Sequence, residues 1–180
     1  MPSPFSGKLH IDQIQLPNGS IIGMTHFPGR NHRDKAGNIW NRDLLRDLND
    51  IKSWGATSLI TLVEREEFLC LGVPNFSEAV QQISLDWVHL PIPDMSPPGV
   101  TFFEAWEKIR NQVTDEIVTK GRIVIHCASG FGRTGTIVAK LMVDCGITPD
   151  NAIKIVRKVR PGTIETVAQE SFIKSTLQLL

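Results

Sequence analysis

The sequence has no charge imbalance, no apolar run of membrane length and no metal-ligand spacing, and each absence removes a class of function. Its 19 basic and 19 acidic side chains cancel, so no global field draws the chain toward nucleic acid or an anionic membrane, and anion recognition must be local. The opening residues Met1 to Lys8 contain no apolar leader segment, and no later stretch nears the roughly 18 apolar residues of a membrane span. Cysteine is scarce. Cys70, Cys127 and Cys145 are odd in number and lack C-x-x-C or Cys/His spacing, which argues against a disulfide framework or a structural zinc. No G-x-x-x-x-G-K-[ST] occurs, which excludes a P-loop nucleotidase. These absences lead to the expectation of a soluble, cytoplasmic protein in a reducing compartment, with no metal and no cofactor.

What is present is a chain of 180 residues, 41% hydrophobic and 21% charged, a size that buries a real core in one domain. Residues 1–9 read as a flexible tail and 10–180 as the functional domain. Runs at Ile11 to Leu16 and Ser20 to Met24 flank the turn Pro17-Asn18-Gly19. After a polar loop from Gly29 to Gly37, Asn41 is placed to cap a helix carrying Leu44, Leu45, Leu48 and Ile51. Thr57 to Val63 is a β-branched run suited to a buried strand. Short helices at Glu66 to Leu71 and Phe76 to Ile83 precede an alternating strand at Asp86 to Leu90. The segment Pro91 to Gly99 is too rich in proline for helix or central strand. Thr101 and Glu104 spell a capping box for a long helix through Phe102, Trp106, Ile109, Val113 and Ile117. Arg122 to His126 is a further strand, followed by a helix from Arg133. Thr148-Pro149 and Thr166 open the last two helices, the final one with Phe172, Ile173 and Leu177 inward. Strands alternating with helices predict an α/β fold: a central, mostly parallel twisted sheet, helices on both faces, and ligands at the carboxyl ends of the strands. Cys70 and Cys145, set among apolar neighbours, are expected to be small buried hydrophobes.

The chemistry concentrates in His126-Cys127-Ala128-Ser129-Gly130-Phe131-Gly132-Arg133-Thr134, where a cysteine and an arginine bracket five loop residues. A loop of that length between strand and helix can turn successive backbone N–H groups inward as a nest for a tetrahedral dianion. Gly130 and Gly132 allow the tight path and a close ligand. Arg133 can fork onto two phosphate oxygens. The same amides, helix dipole and guanidinium favour the thiolate of Cys127. Binding alone needs no cysteine at the loop's mouth; covalent attack on phosphorus does. Thr134 can donate its hydroxyl to the sulfur and make it a better leaving group. The departing alkoxide or phenoxide needs a proton, and Asp94, in the proline-rich segment beyond a strand's carboxyl end, is the candidate acid, with Glu64, Glu66 and Glu67 competing.

This constellation resembles the cysteine-dependent protein tyrosine phosphatases, specifically the small dual-specificity group and most nearly the cyclin-dependent-kinase-associated phosphatase type. The resemblance covers most of the chain through Ile22 to Gly29, Arg65 with Glu67, Val73-Pro74-Asn75, Pro91 to Asp94, the loop itself, and Gly162 to Thr166 leading to Gln169. It implies Cys127 as nucleophile, Arg133 as phosphate clamp and Asp94 as general acid and then base. It further implies that His126 favours the ionised thiol through the loop's hydrogen bonds, and that Gln169 positions the hydrolytic water, although Gln169 also completes a capping box with Thr166. Phosphoinositide phosphatases of this superfamily carry loop lysines where this chain has Ala128 and Phe131, so phosphoprotein substrates are expected, with phosphotyrosine joined by phosphoserine and phosphothreonine. Phosphate, sulfate or vanadate should occupy the loop. Two rival readings keep the same cradle: a catalytically silent module that holds phosphoproteins, and a phosphatase acting on RNA 5′ phosphates.

Overall fold

The structure, a computed structural model, describes residues 7–119 and 121–180. Five strands, Asp12–Gln15 (β1), Ile21–Thr25 (β2), Ser58–Thr61 (β3), Asp86–His89 (β4) and Arg122–His126 (β5), form one sheet in the order β1-β2-β5-β3-β4. Only β1 is antiparallel to its neighbour. The mostly parallel sheet read from the sequence is therefore present. Its central strands are buried almost throughout, with apolar middles and polar residues confined to their ends, as strands covered on both faces require, whereas Asp12, Gln13 and Gln15 place polar side chains on the edge.

Register divides the helices between the two faces. Gly23, Val124, Leu59 and Trp87 lie in one row across the sheet, and Thr25, His126, Thr61 and His89 in the row two residues on, so all eight share a face. Against it pack helices Leu44–Ser53 (α1), Arg65–Cys70 (α2) and Phe76–Gln81 (α3). The Phe76 ring touches Trp87 and His126, Phe68 touches His89, and a Cβ at Gly23 would lie 3.1 Å from Trp54 at the end of α1. Ser58, in the alternate row with Ile123, points to the other face and donates to Glu116 of the helix Val100–Val118 (α4) at 2.5 Å. The helix Gly132–Asp144 (α5) follows β5 and is buried from Gly132 to Met142, sheathed by Pro149–Val159 (α6) and Val167–Lys174 (α7). Each fully buried Leu, Ile or Val of this interior contributes about 1.5–3 kcal/mol.

Several local expectations change. The cap of α1 is Asp43, which accepts from the Arg46 amide at 2.8 Å, two residues after Asn41. No Thr101–Glu104 capping box forms, because extended Gly99 carries the chain from the proline segment into a helix that has already begun at Val100. Cys70 is exposed: it ends a six-residue helix that buries only Phe68. Cys145 is half-buried. Leu177 is 42% exposed, because α7 stops at Lys174 and extended Ser175 breaks the helical period that would have turned it inward. Thr148-Pro149 and Thr166 do open α6 and α7. Of the expected tail, residues 1–6 lie outside the described residues, while Leu9 is buried and its amide donates to Asp50 at 2.8 Å. Among the described residues no helix is long and apolar enough to cross a membrane.

Candidate active site

The row Thr25, His126, Thr61 and His89 ends four parallel strands on one side, and the loop Cys127–Phe131 rises from it into α5. Its carbonyls are claimed from outside. The Ala128 oxygen accepts from the Phe27 amide and from Arg30, each at 3.1 Å. Arg160 donates to Ser129 at 3.0 Å and Gly130 at 2.8 Å, while Gly135 and Ile164 donate to Phe131. A peptide plane whose oxygen is held outward turns its N–H the other way, so these bonds shape an amide-lined concavity. The Gly130 amide already donates to the Cys127 sulfur at 3.3 Å. Gly130 has φ +77°, and a Cβ there would sit 2.3 Å from the Thr25 oxygen, so only glycine fits.

Arg133, in the first turn of α5, is 2% exposed. Its Nη1 donates to Glu67 Oε2 at 2.6 Å and to the Ile92 carbonyl at 3.0 Å, and its Nη2 reaches Glu67 Oε1 at 2.9 Å. Asp94 Oδ1, on an otherwise exposed carboxylate, stands 3.0 Å from the same Nη2. Burial pulls the guanidinium pKa down, but the Glu67 hydrogen bonds and the charges of Cys127, Glu67 and Asp94 outweigh it, and the net shift is upward. Arg133 is a fixed cation whose plane is set by a two-pronged carboxylate.

His126 is fully buried below the loop, and desolvation pushes its pKa down to about 3 against the pull of its bond to the Cys127 carbonyl. It is neutral at pH 7, so it carries one proton. Nδ1 faces the Cys127 carbonyl, which can only accept, at 3.3 Å, and Nε2 lies 2.7 Å from Thr61 Oγ1. Nδ1 therefore holds the proton and the Thr61 hydroxyl donates to Nε2, while Trp87 Nε1 donates to Thr61 at 3.0 Å. The chain Trp87–Thr61–His126–Cys127 fixes the strand end from which the sulfur projects.

Residues 41–173 match the family described as the Swiss Army Knife protein DSP-PTPase phosphatase domain, about three-quarters of the chain. This chain belongs to that family. It is a cysteine-dependent protein tyrosine/dual-specificity phosphatase. The human cyclin-dependent kinase inhibitor 3 is 26% identical over 171 residues, which cover 92% of this chain and 77% of that protein. The human protein tyrosine phosphatase type IVA 3 is 25% identical over 129 residues, 72% of this chain and 69% of that protein. In three dimensions the chain is similar to a kinase-associated phosphatase whose catalytic-site cysteine is replaced by serine, with a TM-score of 0.80 and 25% identity over 93% of each chain.

Within this phosphatase the structure brings Cys127, Arg133, Asp94, His126 and the loop Ala128 to Gly132 together. Gln169 is also near: it is fully buried, its Oε1 accepts from the Glu165 and Thr166 amides, and its Nε2 lies 2.9 Å from where a Gly132 Cβ would be. The capping box and the place beside the loop belong to the same side chain. Thr134 is fully buried and, among the described residues, its hydroxyl has no hydrogen-bond partner, so the expected bond to the Cys127 sulfur is not made in this state. Sequence reasoning missed Arg160, which holds two loop carbonyls, pairs with Asp12 at 2.7 Å and lies over the Phe131 ring; its only signal was an arginine before Pro161-Gly162. It also missed Thr61 and Trp87, which read as ordinary strand residues. Glu67, a competing acid on sequence grounds, spends its carboxylate on Arg133 instead.

Proposed function

We propose that this phosphatase hydrolyses phosphate monoesters on proteins, phosphotyrosine together with phosphoserine or phosphothreonine, through a phospho-cysteine at Cys127. The Cys127 sulfur attacks phosphorus in line, forming S–P as the bond to the leaving oxygen breaks, and Asp94 gives that oxygen its proton. Arg133 and the inward loop amides hold the equatorial oxygens, whose charge is spread in the transition state. In the second step Asp94, now a carboxylate, takes a proton from a water positioned by Gln169. The water oxygen attacks phosphorus and the sulfur departs with the S–P electron pair, aided by the Thr134 hydroxyl. No metal enters. The observation that carries this reading is the convergence of a nucleophilic sulfur, a carboxylate-aligned guanidinium and Asp94 on one amide-lined loop. His126 contributes as a neutral donor that orients Cys127, because its burial excludes a cationic role.

The test is Cys127→Ser. The variant should keep its fold and its affinity for phosphate or vanadate while losing turnover of aryl phosphates and phosphopeptides. Near-wild-type hydrolysis would remove the covalent mechanism.

A further inference from the structure

Beside the first residues of the phosphate loop opens a cavity of about 680 Å³, lined by Arg30, His32, Lys35, Met95, Ala128 and Ser129 among others. Arg30 is the anomalous member. It is 7% exposed, lies with Cζ 3.8 Å from the centroid of Trp40, and donates to the Ala128 carbonyl at 3.1 Å and to His32 Nε2 at 3.4 Å. Both acceptors are neutral, because burial and then the charge of Arg30 hold the His32 pKa below its ordinary value. Among the described residues its Nε has no hydrogen-bond partner, and no carboxylate lies within ion-pair distance of it. The other two buried arginines, Arg42 and Arg133, each grip a carboxylate. Buried charges are normally paired. Desolvation accordingly lowers the Arg30 pKa to about 10, despite the charges of Asp34 and Cys127.

The segment that carries Arg30 is braced. Asp34 accepts from the Ala36 and Asn38 amides, from Asn38 Nδ2 and from Trp40 Nε1, all at 2.9–3.0 Å, so its carboxylate is consumed inside the loop. Arg33 and Lys35 add exposed positive charge at the same mouth. Of the other acids lining the cavity, Asp94 is held by Arg133, and Glu165 stands at the Gly132 end of the loop, whereas Arg30 binds the Ala128 end.

We propose that this cavity is a subsite for a second anionic group, a carboxylate or a phosphate, carried by a phosphopeptide next to the residue whose phosphate the loop holds. The proposal rests on the phosphatase reading above and deepens it. The incoming anion supplies the direct ion-pair partner that Arg30 lacks among the described residues, and selectivity arises because a peptide without it leaves that cation with only the more distant charges of Asp34 and Cys127.

Three phosphopeptides of one sequence test it, with Gln, Glu or a second phosphorylated residue placed on either side of the target phosphoresidue. Binding is read by fluorescence anisotropy on Cys127→Ser and turnover on the wild type. The Glu and bisphosphorylated peptides should bind at least about tenfold more tightly than the Gln peptide, and Arg30→Met in the Cys127→Ser background should bring that ratio close to one. Because Arg30 also holds a loop carbonyl, the readout is the ratio within each variant, which damage to the loop leaves in place. Equal binding of all three peptides, or a ratio that survives Arg30→Met, overturns the subsite. Tighter binding of a soluble inositol bisphosphate than of any peptide overturns its assignment to peptides. If the ratio holds while the wild type turns over no peptide, the subsite stands and the proposed hydrolysis of phosphoproteins falls.

Discussion

Replacing Glu67 with Gln tests whether the Arg133 guanidinium is aligned by its carboxylate. The substitution keeps the shape and one acceptor but removes the charge and the second prong of a pair at 2.6 and 2.9 Å. Breaking a fully buried pair costs about 3–5 kcal/mol. Here Arg133 is 1% exposed in its side chain but Glu67 is 23% exposed, and Asp94 still faces Nη2, so screening and a remaining partner reduce the loss to about 2 kcal/mol. That is a large share of the roughly 5–15 kcal/mol by which a domain is stable. Urea unfolding should show a lower midpoint at an unchanged slope. Vanadate should recover part of the loss, because an anion on the loop binds only the folded state and replaces the missing charge. Turnover of an aryl phosphate should fall about 10- to 100-fold, since a freed guanidinium no longer meets two oxygens in register. An unfolding midpoint and kcat/KM both equal to wild type would refute the reasoning, because the fork would then hold nothing that matters.

Two further outcomes follow from the same geometry. Asp94→Asn should lower kcat about a hundredfold on phosphate esters with poor leaving groups and far less on those whose leaving oxygen departs unprotonated; an equal effect on both would move the acid to another residue. Stability should fall with acidification between about pH 6.5 and pH 3. His26 and His126 are both pushed down to about 3, chiefly by burial, so over that window the unfolded chain binds protons that the folded chain does not. Each then costs about 2 kcal/mol at pH 5 relative to pH 7. Urea unfolding curves recorded across this range should show the decline, whereas a midpoint flat from pH 7 to pH 5 would show that neither imidazole is buried neutral.

Much of the fold was legible because periodicity and punctuation act locally. The apolar runs at β3 and β5 and the Thr148-Pro149 and Thr166 caps depend on a few neighbouring residues. Helix starts failed where two polar residues competed, as at Asn41 and Asp43, or where a glycine did the work, as at Gly99. In the site, the bracketed loop announced Cys127 and Arg133, because the nucleophile and anion clamp proposed for them must be close in sequence when one turn holds both. What supports them was not legible. Glu67 is 66 residues from Arg133, Thr61 is 65 from His126, and Arg160 is about 30 from the carbonyls it holds. Only the parallel register and the return of α6 put them there.

The most direct measurement is acid quenching of the wild-type protein during turnover, followed by mass spectrometry of the peptide that contains Cys127. The expected result is a single phosphoryl group on Cys127 that accumulates when water attack is slowed and is absent from Cys127→Ser, which also turns over no substrate. Sustained phosphate release with Cys127 never modified, or phosphoryl found on another side chain at the rate of turnover, would contradict the account.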